Sequence, residues 1–419
     1  MNSTTKDEQR LFRRLGVFSG GWSLEAAEAV CDRGDLKLEV LDGLASLVDK
    51  SLVRAVQGDE ERFSMLETIR EFATERLEES GEAQEIRRAH ADYFRGLAEE
   101  AEPHLIGGEQ KEWLDRLEKE HDNLRFAMGF SLQREAGSGL RIAASMRRFW
   151  WVRGYLSEGQ MWLSQALDRS AEQPIALRAR LVFASGFLAQ AQGDNELGEH
   201  HCQAALELFR SIGDDAGAAR ALEVLGIAAE ERGDFKRAKR YHEETLAAYE
   251  ELDNPRGIAA AIGNLSNVAL KEGLLRETQV LSKRSLELYQ SLGMTEGVAA
   301  CLVNIGLAAL QQGALREARE ALIECLATGT DLDHKELMTH SLIGLAAVAS
   351  ASTEFVEGAQ LLGVAQRLRD TTGAVLPLVE KAVFDRTVEE VRANLAEEAF
   401  EAALVRGRTT DPKEILGVA

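Results

Sequence analysis

Apolar and polar positions in the second half of the chain recur with one constant period. Small residues let paired helices approach closely and Gly allows a tight turn, so the pattern predicts a solenoid of helix hairpins. The five copies, equal in length, span 176–215, 216–255, 256–295, 296–335 and 336–375. The most regular positions are Ala189, Ala229, Ala269, Ala309 and Ala349; Gly193, Gly233, Gly273, Gly313 and Thr353; and Leu206, Leu246, Leu286 and Leu326.

Within one copy, the spacing of Gly226, Gly233, Asp234 and Ala238 matches the tetratricopeptide pattern, whose usual repeat is ~34 residues. The copies in this chain are longer than that, which predicts helices that are longer by more than one turn. One further, irregular repeat is predicted over 140–175, where Gly154 takes the turn position.

The start of the chain has a different pattern. Thr5 and Glu8 have the spacing of a capping box, and Ser23 is a good N-cap for a second helix. A third helix follows. Two short strand-like runs, 52–56 and 63–65, then flank a Gly-Asp turn, which predicts a hairpin. Three helices and a hairpin make a winged helix.

The predicted fold class is therefore all-α with one small β-hairpin wing: a winged-helix module followed by an α-solenoid of tetratricopeptide-like hairpins. Residues 82–133 predict two long helices. Pro377 breaks the repeat pattern, and amphipathic helices after it are expected to cap the solenoid, whose last repeat would otherwise expose its apolar face. The predicted segments are a winged-helix module (1–80), connecting helices (81–135), superhelical repeats (136–375) and capping helices (376–419).

The charge balance argues against nucleic acid as a partner. The chain has 49 Lys and Arg against 70 Asp and Glu, a formal net charge of −21 at pH 7, and such a field repels phosphate. A DNA-reading helix needs Arg, Lys, Asn or Gln. The third helix and the residues after it offer Glu39, Asp42, Asp49, Lys50 and Arg54. We expect the module to be a packing and hinge element. The alternative is an autonomous DNA-binding transcription regulator.

Several blocks of the chain resemble, in order, the large bacterial ATPase regulators of the STAND class. They include LFRRLGVFSGGWSLEAAEAVC, LASLVDKSLVR, RFSMLETIREFATERLEESGE, WLDRLEKEHDNLR and RFWWVRGYLSEGQMWLSQAL. In that family an NB-ARC-type nucleotide motor is followed by a winged helix and a tetratricopeptide sensor arm. The resemblance covers nearly the whole chain and implies that it corresponds to the winged helix and the sensor arm.

The motor has no counterpart in this sequence. A Walker A loop needs Gly-Lys before Ser or Thr so that the loop can hold phosphates, and the dipeptide Gly-Lys does not occur. We therefore expect no ATPase activity. The resemblance implies that a motor is either encoded separately, as a partner, or lost.

Other chemistry is not expected either. The densest ligand cluster is His200, His201 and Cys202, and neighbours on a helix point about 100° apart, so no metal site is predicted. No catalytic constellation or cofactor motif is found. The four Cys form no C-x-x-C pair, and the N-terminus lacks a signal-peptide pattern. We expect a reduced, cytoplasmic protein with no membrane segment.

Asparagines supply one set of candidate binding residues. In the tetratricopeptide register the first helix of each pair lines the concave groove, and Asn264 and Asn304 take the same position in consecutive repeats. Asn267 shares the face of Asn264. An amide can both donate to and accept from an extended peptide backbone. The alternative is a hydrogen bond between helices.

Aromatic and Arg residues supply the second set, in the segment MRRFWWVRGY. Trp and Arg dominate binding hot spots, so Trp151, Arg147, Arg148 and Arg153 are candidates to contact a ligand. The alternative is a core role, which we expect for Phe149 and one Trp.

Taken with the resemblance, these patterns predict a non-catalytic regulatory scaffold in signal transduction or transcription regulation. We expect its sensor arm to bind a protein, a peptide or a small inducer in the concave groove of the repeats.

Overall fold

The computed structural model describes residues 5–56, 62–134, 137–373, 375–376 and 378–417. These residues divide into two compact units. The first takes residues from Met1–His104, Glu112–Met146 and Asp168–Ser170, and the second from Leu105–Lys111, Arg147–Leu167 and Ala171–Ala419. The predicted boundaries of the four segments stay a prediction.

The first unit begins with the winged helix. Thr5 and Glu8 form the predicted capping box on α1, and Ser23 accepts a hydrogen bond from the backbone N–H of Ala26 at the start of α2. Leu11, Leu44 and other apolar side chains of these helices are fully buried. The elements are α1 (Lys6–Leu15), β1 (Gly21–Ser23), α2 (Leu24–Cys31), α3 (Val40–Asp49), β2 (Arg54–Val56), β3 (Arg62–Ser64) and α4 (Glu67–Ser80).

The wing has three strands where two were predicted. β3 lies between β1 and β2, and both pairings are antiparallel, with Trp22 and Ala55 opposite Phe63. Sequence reasoning missed β1 because its three residues, which begin with the second Gly of a pair, are too few to show alternation. The predicted Gly-Asp turn, Gly58 and Asp59, lies outside the described residues.

The rest of the first unit corrects the prediction of two long helices over 82–133. The second of these is two helices that break at Glu120. The side chain of Glu120 is buried at this break. It forms an ion pair with Arg62 of β3 and accepts a hydrogen bond from Asn123 at 2.8 Å, so the break places Glu120 next to the wing. The elements are α5 (Ala83–His104), α6 (Gln110–Lys119), α7 (His121–Arg134) and α8 (Gly137–Ser145).

The second unit is a solenoid of helix pairs. Each of the nine helices from α11 to α19 has 17 residues, and these helices start at equal intervals along the chain. The elements are α9 (Arg147–Arg153), α10 (Leu156–Asp168), α11 (Ile175–Ala191), α12 (Asn195–Ser211), α13 (Asp215–Glu231), α14 (Phe235–Glu251), α15 (Pro255–Lys271), α16 (Leu275–Ser291), α17 (Thr295–Gln311), α18 (Leu315–Asp331), α19 (Lys335–Ala351) and α20 (Phe355–Thr372).

The turns between these helices confirm the predicted role of Gly. A residue with positive φ recurs at the same interval as the helices from Gly193 to Gly373, and this conformation favours Gly because it has no Cβ. Three of these turn positions hold other residues: Asp253, Asp333 and Thr353. The irregular repeat follows the same rule, since Gly154 between α9 and α10 has a φ of 80°.

The last helices, α21 (Leu378–Asn394), α22 (Glu397–Thr409) and α23 (Pro412–Ile415), cover the end of the solenoid. α21 packs on α19, and α22 packs on α20. Gly407 and Gly363 let α22 approach closely, because a Cβ on Gly407 would lie 2.0 Å from the carbonyl oxygen of Gln360. Pro377, the predicted break, lies outside the described residues.

Candidate functional site

A cavity of about 560 Å³ lies within the second unit. Most of its lining comes from α11, α13, α15, α17 and α19, which are the first helices of the five hairpins, as the register predicted. Equivalent positions meet in it: Val224, Asn264 and Asn304 occupy one register position in three consecutive repeats. Residues of α9, of the stretch 106–110 and of α20 and α21 also line it.

Six of the seven predicted site residues line this cavity. Arg153 does not line it. Its guanidinium group lies 3.4 Å from the carboxylate of Asp333 and is nearly buried. The six lining residues are Arg147, Arg148, Trp151, Asn264, Asn267 and Asn304. Their role in binding stays a prediction.

The aromatic segment splits between core and cavity. Phe149 and Trp150 are fully buried, which confirms the core role expected for Phe149 and one Trp. Trp151 faces the cavity and donates a hydrogen bond from Nε1 to Glu336 at 2.5 Å. The guanidinium group of Arg147 lies over the ring of Phe187, 4.4 Å from its centroid. This wall is therefore flat, aromatic and held in place by polar contacts.

Arg148 is held by a buried carboxylate. Its Nη2 lies 2.5 Å from Glu296 Oε1, and its Nε donates to the carbonyl oxygen of Leu105 at 2.7 Å. Gln110 donates a second hydrogen bond to Glu296. Burial by itself raises the pKa of this carboxyl, but Arg148, the nearby His334 and Gln110 lower it to about 2. Glu296 is therefore ionised at neutral pH and fixes Arg148.

The three asparagines differ in what they contact. Asn267 Nδ2 donates to Glu230 at 2.7 Å, and Asn264 Nδ2 donates weakly to Glu223 at 3.4 Å. Asn304, which is half-buried, makes no hydrogen bond to any residue within the described ranges. The interpretation of an inter-helix hydrogen bond thus fits Asn267, whereas the amide of Asn304 is available to a ligand.

A buried ion cluster lies beside the cavity and was not predicted. Lys271 is almost fully buried and lies 2.6 Å from Glu230 and in contact with Glu231, while His242 lies 3.7 Å from Glu230. Burial raises the pKa of Glu230, but the charge of Lys271 outweighs it and keeps the pKa below its ordinary value. No sequence signal could have found this cluster, because a lone Lys at a helix end usually lies in solvent.

The sequence His200-His201-Cys202 shows no metal geometry, and no set of three or more potential ligands gathers elsewhere in the described part of the chain. Cys202 is buried, which raises the pKa of its thiol to about 12. His201 Nδ1 lies 3.0 Å from the hydroxyl of Ser185. Among the helices that the structure describes, none is long and apolar enough to cross a membrane.

The elements of the first unit include a winged-helix module, and the second unit, which holds the cavity, is a tetratricopeptide-like solenoid. Two families match parts of the chain: the winged helix-turn-helix domain at residues 5–78 and the tetratricopeptide repeat at residues 178–251. A protein of Mycobacterium tuberculosis strain H37Rv, named as an HTH-type transcriptional regulator, is 38% identical over 232 residues. The match covers 52% of this chain and 26% of the regulator. The chain thus spans about a quarter of that relative.

Two solved structures with TM-scores above 0.5 share the fold. A Rap protein complexed with competence and sporulation factor matches with a TM-score of 0.55 at 13% identity, over 83% of this chain and 96% of its own. NprR in complex with its cognate peptide NprX matches with a TM-score of 0.53 at 15% identity, over 89% and 100%. A STAND protein with a tetratricopeptide repeat sensor from Pyrococcus horikoshii has a TM-score of 0.48 at 12% identity, over 99% and 66%.

Proposed function

We propose that the chain is a non-catalytic scaffold of a transcription regulator. We further propose that its solenoid, the second unit, is a sensor arm that binds a short peptide in the cavity. A protein segment or a small inducer was an equal candidate from the sequence. The cavity favours a peptide because its walls combine amide groups with apolar and aromatic side chains, which suits a backbone that carries side chains.

The observation that carries the proposal is the amide of Asn304. It lines the cavity, repeats the register position of Asn264, and has no hydrogen-bond partner within the described ranges. A primary amide that both donates and accepts can replace the hydrogen bonds that a peptide unit loses on leaving water. NprR in complex with its cognate peptide and the Rap protein complexed with competence and sporulation factor share this fold, which supports peptide binding here.

The test is retention of synthetic peptides by the full chain. A random hexapeptide mixture is passed over the immobilised protein, retained peptides are identified by mass spectrometry, and their affinities are measured by fluorescence polarisation. We expect the double variant Asn264→Ala with Asn304→Ala to weaken binding by about tenfold, the value of one to two lost hydrogen bonds.

The matched control is Asn394→Ala, because Asn394 is exposed on α21, does not line the cavity and, among the residues that the structure describes, donates only to the carbonyl oxygen of Glu390. Retention of no hexapeptide would contradict peptide binding. Unaltered affinity in the double variant would contradict the role of the asparagines.

The resemblance to STAND regulators supports an ATPase motor as a partner, on a separate chain or elsewhere in a longer one. An open reading frame with a Walker A motif next to this gene, whose product co-purifies with the chain, is the expected finding. A product that does not bind the chain would contradict the partnership.

The match to the winged helix-turn-helix family favours DNA as a second candidate ligand. Against it, Glu39, Asp42 and Asp49 are exposed on or beside α3, and Lys50 is paired with Glu8 at 2.8 Å. A gel shift on random duplex at low salt decides, since DNA readers also bind non-specifically through phosphates. We expect no shift, and a salt-sensitive shift would favour the DNA-binding alternative.

A further inference from the structure

The charge of the cavity differs from that of the chain. The whole sequence has an excess of acids, with 70 Asp and Glu against 49 Lys and Arg. The cavity lining reverses this balance, with seven Lys and Arg against five Glu. Because the cavity walls have lower permittivity than water, this local excess acts on a bound group more strongly than the same charges would on an open surface.

Three of the cavity cations, Arg220, Arg256 and Arg369, differ from the paired ones, and Arg369 lies over the Phe384 ring, 5.4 Å from its centroid. Arg148 is paired with Glu296, Lys335 with Asp333, and Lys381 with Asp385. Across the described ranges, neither Arg220 nor Arg256 has a carboxylate within 4.0 Å. The Nε of Arg220 is buried without a hydrogen-bond partner, and its guanidinium group lies 5.9 Å from the centroid of the Phe183 ring.

The carboxylates of the cavity contact other groups, and in the described ranges none lies within 4.0 Å of Arg220 or Arg256. Glu223 accepts from Tyr249 and Asn264, Glu231 pairs with Lys271, and Glu336 accepts from Trp151. An unpartnered buried guanidinium donor costs free energy, so a fold that keeps one in a cavity gains from an anion there.

The two arginines lie in the same part of the cavity. Arg220 is in the second turn of α13, Arg256 is in the first turn of α15, and these helices pack against each other. Both guanidinium groups act on the phenol of Tyr249, lowering a pKa that burial and then Glu223 raise. Glu223, which accepts from Tyr249 at 3.3 Å, supplies one negative charge near the two arginines, and a second anion would balance the positive charge that remains.

We propose that Arg220 and Arg256 form an anion subsite of the cavity that takes a carboxylate of the bound peptide. Guanidinium groups bind carboxylates through two parallel hydrogen bonds, which fix orientation as well as supply free energy. Phe183 and Val224 also line this region, so the residue that carries or adjoins the carboxylate meets apolar surface. This inference rests on the proposed function, because it names the chemistry of the peptide.

The experiment compares four hexapeptide mixtures on the full chain. One has Asp or Glu and a free C-terminus, a second has Asn or Gln in place of the acids, a third has an amidated C-terminus, and a fourth lacks both carboxylates. We expect retention of the first and loss of the fourth. The second and third tell whether a side chain or the C-terminus supplies the carboxylate.

The variant Arg220→Gln with Arg256→Gln is expected to bind acidic peptides about 10- to 100-fold more weakly, the value of hydrogen bonds to a charged group. Arg180→Gln is the matched control, because Arg180 takes the register position of Arg220 in the preceding repeat and does not line the cavity. Arg220→Lys in place of Arg220→Gln keeps the charge without the paired hydrogen bonds. It is expected to restore part of the affinity that the double Gln variant loses.

Each failure has its own signature. Equal retention of all four mixtures, unchanged in the double variant, overturns the anion subsite and leaves peptide binding intact. If no mixture is retained, peptide binding fails, and thermal shift with citrate decides the subsite. A shift that the double variant abolishes supports the subsite, and no shift overturns it.

Discussion

Two arginines show how differently the two units use the same side chain. In the first unit, Arg14 is buried and its guanidinium group lies 2.7 Å from both carboxylate oxygens of Asp35, 2.8 Å from the carbonyl oxygen of Cys31, and 3.2 Å from Glu82. In the second unit, Arg220 lines a cavity and has no carboxylate within 4.0 Å among the described residues. Arg14 has every partner that its geometry allows.

This difference separates charges that hold the fold from charges that are available to a ligand. A buried charge persists in a stable protein when it is paired, and Arg14, Glu8 and Lys271 are paired. A charge beside a cavity needs no internal partner if a ligand supplies one. The comparison predicts that stability and binding respond to different substitutions.

The largest effect is expected for Lys271→Met. This change leaves the buried carboxylates of Glu230 and Glu231 without their cation, and removing one partner of such a cluster costs about 4 kcal/mol of unfolding free energy. Native-state hydrogen exchange followed by mass spectrometry should show the loss of protection in α13 and α15. The control is Lys239→Met, whose side chain is half-exposed and lies 3.8 Å from Glu277. Equal effects of the two substitutions would contradict the assignment.

Arg14→Met is expected to come next. Asp35 and Glu82 are partly exposed and regain some hydration, so we expect a loss of about 2 kcal/mol. The loss should appear as faster exchange in α1 and leave α13 and α15 unchanged. Arg33→Met, at the exposed pair with Glu85 in the same unit, serves as the control. A loss of protection in the repeat helices would mean that the two units do not keep separate charge networks.

Acid should lower the stability of each unit by protonating one carboxylate, Glu8 in the first and Glu296 in the second. Hydrogen bonds from Lys50, Ser46 and the Thr5 backbone lower the pKa of Glu8 to about 2, and Arg148 is the main group that opposes burial to lower that of Glu296 to about 2. Both folded-state values lie below the ordinary 4.5. The stabilisation is therefore complete above about pH 4.5 and is lost as the pH falls toward 2.

The measurement is hydrogen exchange between pH 5 and pH 3, corrected for the intrinsic pH dependence. Glu8→Gln should flatten the loss of protection in α1, and Glu296→Gln should flatten it in α17. Buried His90 and His334, whose pKa values burial lowers, also destabilise below about pH 6.5. Glu296 raises the pKa of His334, so Glu296→Gln is compared with the double variant Glu296→Gln with His334→Gln, whereas neither histidine acts on Glu8. An unchanged pH profile in both variants would contradict these assignments.

The sequence predicted the backbone of the second unit better than its chemistry. The equal spacing of the helices follows from Gly193 and its equivalents, because a turn with positive φ is a local requirement that one residue type meets. Pairing is not local. Glu296 pairs with Arg148, which is 148 positions away in the sequence, and no residue near either of them indicates this ion pair. For the same reason the sequence did not indicate Arg220 and Arg256. We propose them as binding residues because they have no carboxylate partner in the described ranges.

The smallest effect on stability is expected for Arg220→Gln, and this result distinguishes Arg220 from Arg14 most sharply. Since Arg220 has no carboxylate within 4.0 Å in the described residues, its removal breaks no ion pair, and the contact that is lost, 5.9 Å from the Phe183 centroid, is at the limit of a cation–π interaction. We expect unfolding free energy to change by less than about 0.5 kcal/mol, as for substitutions away from the core. Chemical denaturation of the full chain, with exchange in α13 as the local measure, tests this. A loss as large as that of Arg14→Met would show that Arg220 supports the fold, and the distinction between structural and ligand-directed charges would then fail at this residue.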